Sequence, residues 1–287
     1  MTLRIGTRRS ALALAQARLV ADALGGGELV EIVTAGDRGA PGGDKSRWVA
    51  ELERALLQGE VDVAVHSAKD VPGDLAEGLV IACVPEREDP RDALVGPASL
   101  GELAPGARVG TSSLRRMAQL RSAREDLEVV ALRGNVDTRL RKFADGECDA
   151  LVLAAAGLAR LGRSGEVGAF LSCEVFVPAA GQGALAIEAR DDDEAVANAL
   201  AAIDHAESQA RLRAERAFTR AIGASCHTPV GAHRTRAGAL IAFVGRPDGS
   251  SWIRDRVSGG DDPEAQGREA AERMLAAGAR ELLEGVA

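Results

Sequence analysis

Four polar side chains, His66, Ser67, Lys69 and Asp70, follow directly on an alternating apolar run, Val61, Val63 and Val65, and precede Pro72. The alternation reads as a strand with Asp62 and Ala64 on its second face, and Pro72 forbids further ladder pairing. A buried strand ending in an acid, an amine and an imidazole delivers them where open α/β sheets place ligand sites. Such a set suits proton exchange and stabilisation of charge; the plainer reading is a strand end with a solvated turn. Arginines form a second set. Arg8 stands beside Ser10, Arg115 and Arg116 lie just inside the helix start Thr111 to Ser113, Arg133 and Arg139 flank Asn135 and Asp137, and Arg160 follows CDALVLAAAG. Helix N-termini attract anions rather than cations. Arginine at four of them implies an anionic ligand, because a guanidinium pairs carboxylate or phosphate bidentately. Pairing with nearby Asp and Glu on a solvated face is the alternative.

Composition narrows the classes. At 287 residues the chain is long enough for two or three domains. Its 46% hydrophobic and 27% charged content is that of a soluble globular protein. A net charge of −8, no Tyr, two Trp and five Phe argue against nucleic-acid binding by charge or by base stacking. No apolar run approaches the ~20 residues of a membrane helix. The N-terminus MTLRIGTRRS lacks a signal-peptide core, so a cytoplasmic protein with no membrane partner is expected. Cys83, Cys148, Cys173 and Cys226 show neither CxxC pairing nor metal-ligand spacing with His, so no metal is expected and each reads first as a small reduced core thiol.

The elements that must position these groups follow in order. LRIG is a strand leading to the helix ALALAQARLVADAL, with Thr7 or Ser10 as its cap. LVEIVT is a strand. Ala35 to Ser46 is a Gly-rich loop that nearly resembles a phosphate loop through Lys45 and Ser46. Asp44 stands where that motif needs its last glycine, which excludes it. A mobile loop or lid fits better, and Trp48 to Leu57 is a helix with Trp48, Leu52, Ala55 and Leu56 inward. GLVIACV is a strand, and Pro85 to Val95 reads as a charged crossing between domains. Three βα units follow: RVG with TSSLRRMAQL, LEVVALRG with NVDTRLRKFADG (capped by Asn135 or Asp137), and CDALVLAAAG with LARLG. Val175 to Glu188 is a glycine turn around Gln182 and a returning strand. Two helices then lead to antiparallel strands and one final helix, Pro263 to Glu284. No Rossmann glycine fingerprint is present.

Eight segments in order, RIGTRRSALALAQA, VAVHSAKDVP, EREDPRDALV, GTSSLRRMAQL, LRGNVDTRL, AAAGLARLG, PAAGQGALAIE and ASCHTPVGA, closely resemble the porphobilinogen deaminase (hydroxymethylbilane synthase) family. The resemblance implies an α/β fold of two periplasmic-binding-protein-like domains around a cleft plus a small C-terminal α+β domain. The boundaries expected are 1–86 with 184–203, then 91–180, then 206–287. It implies a transferase of the aminomethylpyrrole group that joins four porphobilinogen molecules head to tail, with loss of ammonia, into hydroxymethylbilane. It also implies a dipyrromethane cofactor held by a thioether to the tail-loop cysteine, which falls on Cys226. The catalytic carboxylate falls on Asp70. Cofactor contacts fall on Lys69, Asp70, Thr111, Ser112, Arg115, Arg116, Arg133 and Gly134, and substrate contacts on Arg8, Ser10, Arg139, Arg160 and Gln182. The lid positions fall on Lys45 and Trp48. A monomer passing its product to a uroporphyrinogen-forming enzyme is implied as well. His66 takes a structural or orienting role.

This chain departs from the family's pattern in two places. The lid lacks a Lys-rich, KGLF-like run, and Ala224 and Ser225 precede the cysteine where paired glycines are common. A reading from another class is a non-catalytic cleft-type binding protein for a small polyanion.

Overall fold

In this computed structural model the residues described are 2–34, 46–225 and 228–284. The chain forms two compact units, 1–88 with 183–212, and 89–182 with 213–287. The first begins with β1 (Arg4–Arg8), α1 (Ala11–Ala23), β2 (Glu28–Ile32), α2 (Ser46–Leu57), β3 (Val63–Ser67) and β4 (Leu79–Cys83). The second takes β5 (Asp92–Val95), β6 (Arg108–Gly110), α3 (Leu114–Ala123), β7 (Glu128–Val130), α4 (Val136–Ala144), β8 (Ala150–Ala154), α5 (Ala155–Arg160) and β9 (Val167–Leu171). The chain returns to the first unit for β10 (Leu185–Arg190) and α6 (Glu194–Leu200), and α7 (Ala206–Ala221) carries it back. The tail holds β11 (Val230–Arg234), β12 (Leu240–Gly245), β13 (Trp252–Val257), α8 (Pro263–Ala276) and α9 (Ala279–Leu283).

Both five-stranded sheets repeat one plan. The orders are β2-β1-β3-β10-β4 and β7-β6-β8-β5-β9. In each, the first three strands run parallel, and the strand in fourth place, β10 or β5, is antiparallel to both neighbours. That strand is the one entering from the crossing of the chain. Parallel sheets are covered on both faces, so their strands are apolar on both. In β3, Val63 and Val65 join the core with Ala17, Val20 and Ile187, while Ala64 joins Leu52, Ala55 and Leu56 of α2 on the other side. The three-stranded sheet β11-β12-β13 has its own core with Phe218, Ala270 and Met274. It meets α3 through Ala118, Val177, Ile241 and Phe243.

Local expectations are met at the caps, with the alternatives decided. Ser10 Oγ accepts from Ala13 N at the start of α1, and Asn135 Oδ1 accepts from Thr138 N at the start of α4. Four expectations are corrected. The end of the supposed crossing, Asp92 to Val95, is a fully buried strand, possible because the charge of Asp92 is neutralised inside the unit. The edge strand β9 has no counterpart in the sequence reading, because its partly exposed, glycine-containing run VGAFL carries a weak strand signal. The terminal helix is broken at Gly278, whose φ of 94° leaves the helical region and starts α9. Arg160 lies in the last turn of α5, not near its start, because the helix begins at Ala155. The helix dipole itself favours a cation there. Leu52, Ala55 and Leu56 face inward as expected, joined by Val49; the side chain of Trp48, the lid residue Lys45 and Cys226 lie outside the described residues.

Candidate functional site

In the first unit, β3 runs directly into a single 3-10 turn, Ala68–Asp70. The turn is pinned by Ala68 N donating to Ala184 O at 3.0 Å and by Gln16 Nε2 donating to Ser67 Oγ at 2.8 Å. Lys69 and Asp70 are half-buried. Among the described residues the Asp70 carboxylate has no hydrogen bond or ion pair, whereas the structural acid Asp62 on the same run is tied to Arg4 at 2.6 Å. A carboxylate held at the end of a buried strand without a protein partner is available to a ligand. His66 is buried and its Nε2 lies 3.0 Å from Glu188 Oε2 on β10. Glu53, close to that pair, has its carboxyl pushed up by burial first and by the charge of Glu188, against the bond from Ala76 N and the charge of His66. Arg8 is half-buried at the end of β1, and Ser10 Oγ accepts the cap bond from Ala13 N, which leaves its O–H as a donor.

In the second unit, the starts of α3 and α4 gather the predicted cations. Arg115 and Arg116 are nearly buried and share one carboxylate: Arg115 Nη1 donates to Asp92 Oδ2 at 2.8 Å, and Arg116 Nη2 to Asp92 Oδ1 at 2.8 Å. Burial pushes the Asp92 carboxyl up, but the two guanidiniums and their hydrogen bonds, with that of Gln182, outweigh it and hold it well below the usual range. Gln182 donates Nε2 to Asp92 Oδ1 at 2.9 Å and to Pro90 O at 2.7 Å. Thr111 is buried, its Oγ1 accepting from Ser113 N. Ser112 Oγ and Arg115 Nε are buried with no hydrogen-bond partner. Arg139 donates Nε to Gly134 O at 2.8 Å; burial first, then the nearby Arg116, lowers its pKa. Gly134 has φ 127°, and a Cβ there would meet Thr138 Cγ2 at 2.7 Å, so only glycine fits this approach to α4. Arg133 is exposed beside it.

Two cations, Arg115 and Arg116, thus share one anion, Asp92, and a third, Arg139, lies close enough to Arg116 to feel its charge. A desolvated surplus of positive charge is costly unless an anion completes it. Together with the unpartnered Ser112 Oγ, it fits a carboxylate-bearing group such as a dipyrromethane. Missing from the sequence reading are Asp92, Glu188 and Glu215. Glu215 is fully buried and accepts from Gly181 N at 2.7 Å and from Arg234 N at 2.8 Å. The one available signal was an acid opening the apolar run DALV. Among the described residues no group of His, Cys, Asp and Glu could hold a metal ion, and no helix is long and apolar enough to cross a membrane.

The described cysteines separate by environment. Burial pushes the Cys83 thiol up to about 12, helped by Asp204, and burial likewise raises Cys148. At pH 8 a thiol with so high a pKa is thiolate in only about one molecule in ten thousand. Iodoacetamide treatment of the native chain at pH 8 is therefore expected to spare both. Peptide mapping that finds Cys83 alkylated at the rate of a free thiol would contradict this placement.

Fold and site together define an α/β protein of two five-stranded sheets with one shared strand plan and a small α+β tail, with a fixed cation bank in its second unit. Residues 3–198 match the family model "Porphobilinogen deaminase, dipyromethane cofactor binding domain", and residues 209–276 match "Porphobilinogen deaminase, C-terminal domain". A porphobilinogen deaminase of Pelobacter propionicus is 47% identical over 300 residues, covering 99% of this chain and 97% of that one. One of Trichlorobacter lovleyi is 46% identical, covering 99% and 96%. Among solved structures, the methionine-binding protein MetQ is similar at 15% identity with a TM-score of 0.46, covering 72% of this chain and 92% of that one. The chain belongs to the porphobilinogen deaminase family.

Proposed function

We propose that this chain is an aminomethylpyrrole transferase that joins four porphobilinogen molecules into hydroxymethylbilane with release of ammonia. The observation that carries this reading is the surplus positive charge at the starts of α3 and α4. Porphobilinogen carries two carboxylates, so each added ring brings two negative charges, and a growing chain needs fixed cations rather than a generally basic protein. Bound by a thioether to Cys226, the dipyrromethane supplies the nucleophilic pyrrole carbon that takes the first substrate. Arg133, Thr111, Ser112, Gly134 and Lys69 would hold its carboxylates and backbone-facing edge, with Arg115 and Arg116 supplying a fixed positive field and the unpartnered Arg115 Nε. Arg8, Ser10, Arg139 and Arg160 hold the substrate's carboxylates, and Gln182 acts through Asp92. Asp70 accepts hydrogen bonds from the departing amine and the pyrrole N–H, and its charge stabilises the methylene-pyrrolenine cation left when ammonia departs. Lys45 and Trp48 serve the lid.

The same reading assigns three domains, 1–86 with 184–203, 91–180 and 206–287, supported by the separate core of the tail sheet. It has the chain work as a cytoplasmic monomer whose product goes to a uroporphyrinogen-forming enzyme. Incubation with porphobilinogen tests the reading. Release of four ammonia per hydroxymethylbilane is expected. Tight binding of simple oxyanions with no product would replace it by an anion-binding role.

A further inference from the structure

Asp92 is the fully buried first residue of β5, and two guanidiniums converge on it. Arg116 reaches Oδ1 with Nε at 3.0 Å and Nη2 at 2.8 Å; Arg115 reaches Oδ2 with Nη1 at 2.8 Å and Oδ1 with Nη2 at 3.2 Å. Each also holds the scaffold: Arg115 Nη1 donates to Val177 O at 2.7 Å, and Arg116 Nη1 donates to Val152 O at 3.1 Å. Gln119 closes the same frame, accepting from Val177 N at 2.6 Å and donating to Val177 O at 3.1 Å. Gln182 ties the carboxylate to Pro90 O.

These bonds leave Arg115 Nε, Ser112 Oγ and the terminal nitrogens of Arg139 without a protein partner among the described residues. The forks of Arg115 and Arg116 are therefore already filled by Asp92. What they offer a ligand is a fixed field and the few donors left over. Two buried guanidiniums would repel each other and choose among rotamers without an anion between them. One carboxylate fixes both and still leaves net positive charge, which is the preorganised form of an anion site.

We propose that Asp92, steadied by Gln182, is the positioning residue of the anion site, holding Arg115 and Arg116 at fixed angles for the carboxylates of the growing pyrrole chain. The identity of that anion rests on the proposed function; the positioning itself does not. A merely structural ion pair changes stability. A positioning residue also changes how well the folded enzyme binds.

In the full-length enzyme as purified, Asp92→Asn is expected to raise the KM for porphobilinogen about tenfold with kcat changed less than about threefold, and Gln182→Ala to raise KM about threefold. Asp92→Glu is expected to recover most of the loss. An unchanged KM in folded Asp92→Asn, with only a lower melting temperature, overturns the proposal. If Asp92→Asn does not fold, an unchanged KM in Gln182→Ala overturns it alone. A second arm is independent of catalysis. Inorganic pyrophosphate is expected to raise the melting temperature of the full-length Cys226→Ser chain, and Gln182→Ala in that background to reduce the shift. Wild-type protein that makes no product overturns the proposed function, and the pyrophosphate arm then decides the positioning role: no shift, or a shift that Gln182→Ala leaves intact, overturns it.

Discussion

Asp70→Asn is expected to give a folded chain whose turnover of porphobilinogen falls about a thousandfold. Asp62, Asp92 and Glu188 lie within 4.0 Å of an Arg or His nitrogen, whereas Asp70 is half-buried at the end of β3 with no partner among the described residues. Its removal therefore breaks no internal bond, and the 3-10 turn stays pinned through Ala68 N and Ser67 Oγ. The lost quantity is the attraction between Asp70 and the cation left as ammonia departs. At ~4 Å and an effective dielectric near 20, such a pair is worth roughly 4 kcal/mol, which is about a factor of a thousand in rate. An asparagine keeps the shape and one acceptor but not the charge. Circular dichroism and melting temperature close to wild type, with kcat reduced and KM nearly unchanged, is the expected pattern. Near-normal kcat would show that Asp70 is not the catalytic carboxylate.

Cys226→Ser is expected to remove both a covalent pyrrole adduct and measurable turnover. Protein purified from a haem-producing host should carry extra mass corresponding to one dipyrromethane, and peptide mapping should place it on Cys226. The serine variant should have its unmodified mass. Serine is a far weaker nucleophile than a thiolate toward an electrophilic pyrrole methylene, so the bond does not form. Burial with raised pKa values disfavours Cys83 and Cys148 as attachment points, so the mapping chiefly decides between Cys226 and the half-buried Cys173. An adduct on Cys83, Cys148 or Cys173, or active wild-type enzyme with no adduct at all, would sink the cofactor assignment.

Much of the positioning scaffold was legible because its causes are local. The alternation Val61, Val63, Val65 and the block at Pro72 mark a strand and its end whatever surrounds them, and β3 stops at Ser67 accordingly. Ser10 and Asn135 stand one residue before their helices and cap them through their own side chains. The resemblance of eight ordered segments did the rest for family and cofactor.

Other features have causes distant in sequence. Arg115 and Arg116 look like free ligand forks at a helix start; Asp92, 23 and 24 positions away, fills them. His66 looks like a catalyst by residue type until Glu188, across the β3–β10 pairing, meets it in the core. By itself the sequence determined the strand and helix ends, the acid at the end of β3, the excess of arginine over lysine and the absence of Rossmann and phosphate-loop glycines, since those depend on residue type and spacing of a few positions. Only the tertiary structure decided which charges are spent inside the protein and which remain for a ligand. Pairing is a matter of which strands lie side by side, and in both sheets the antiparallel strand comes from the far side of a chain crossing that no local pattern encodes.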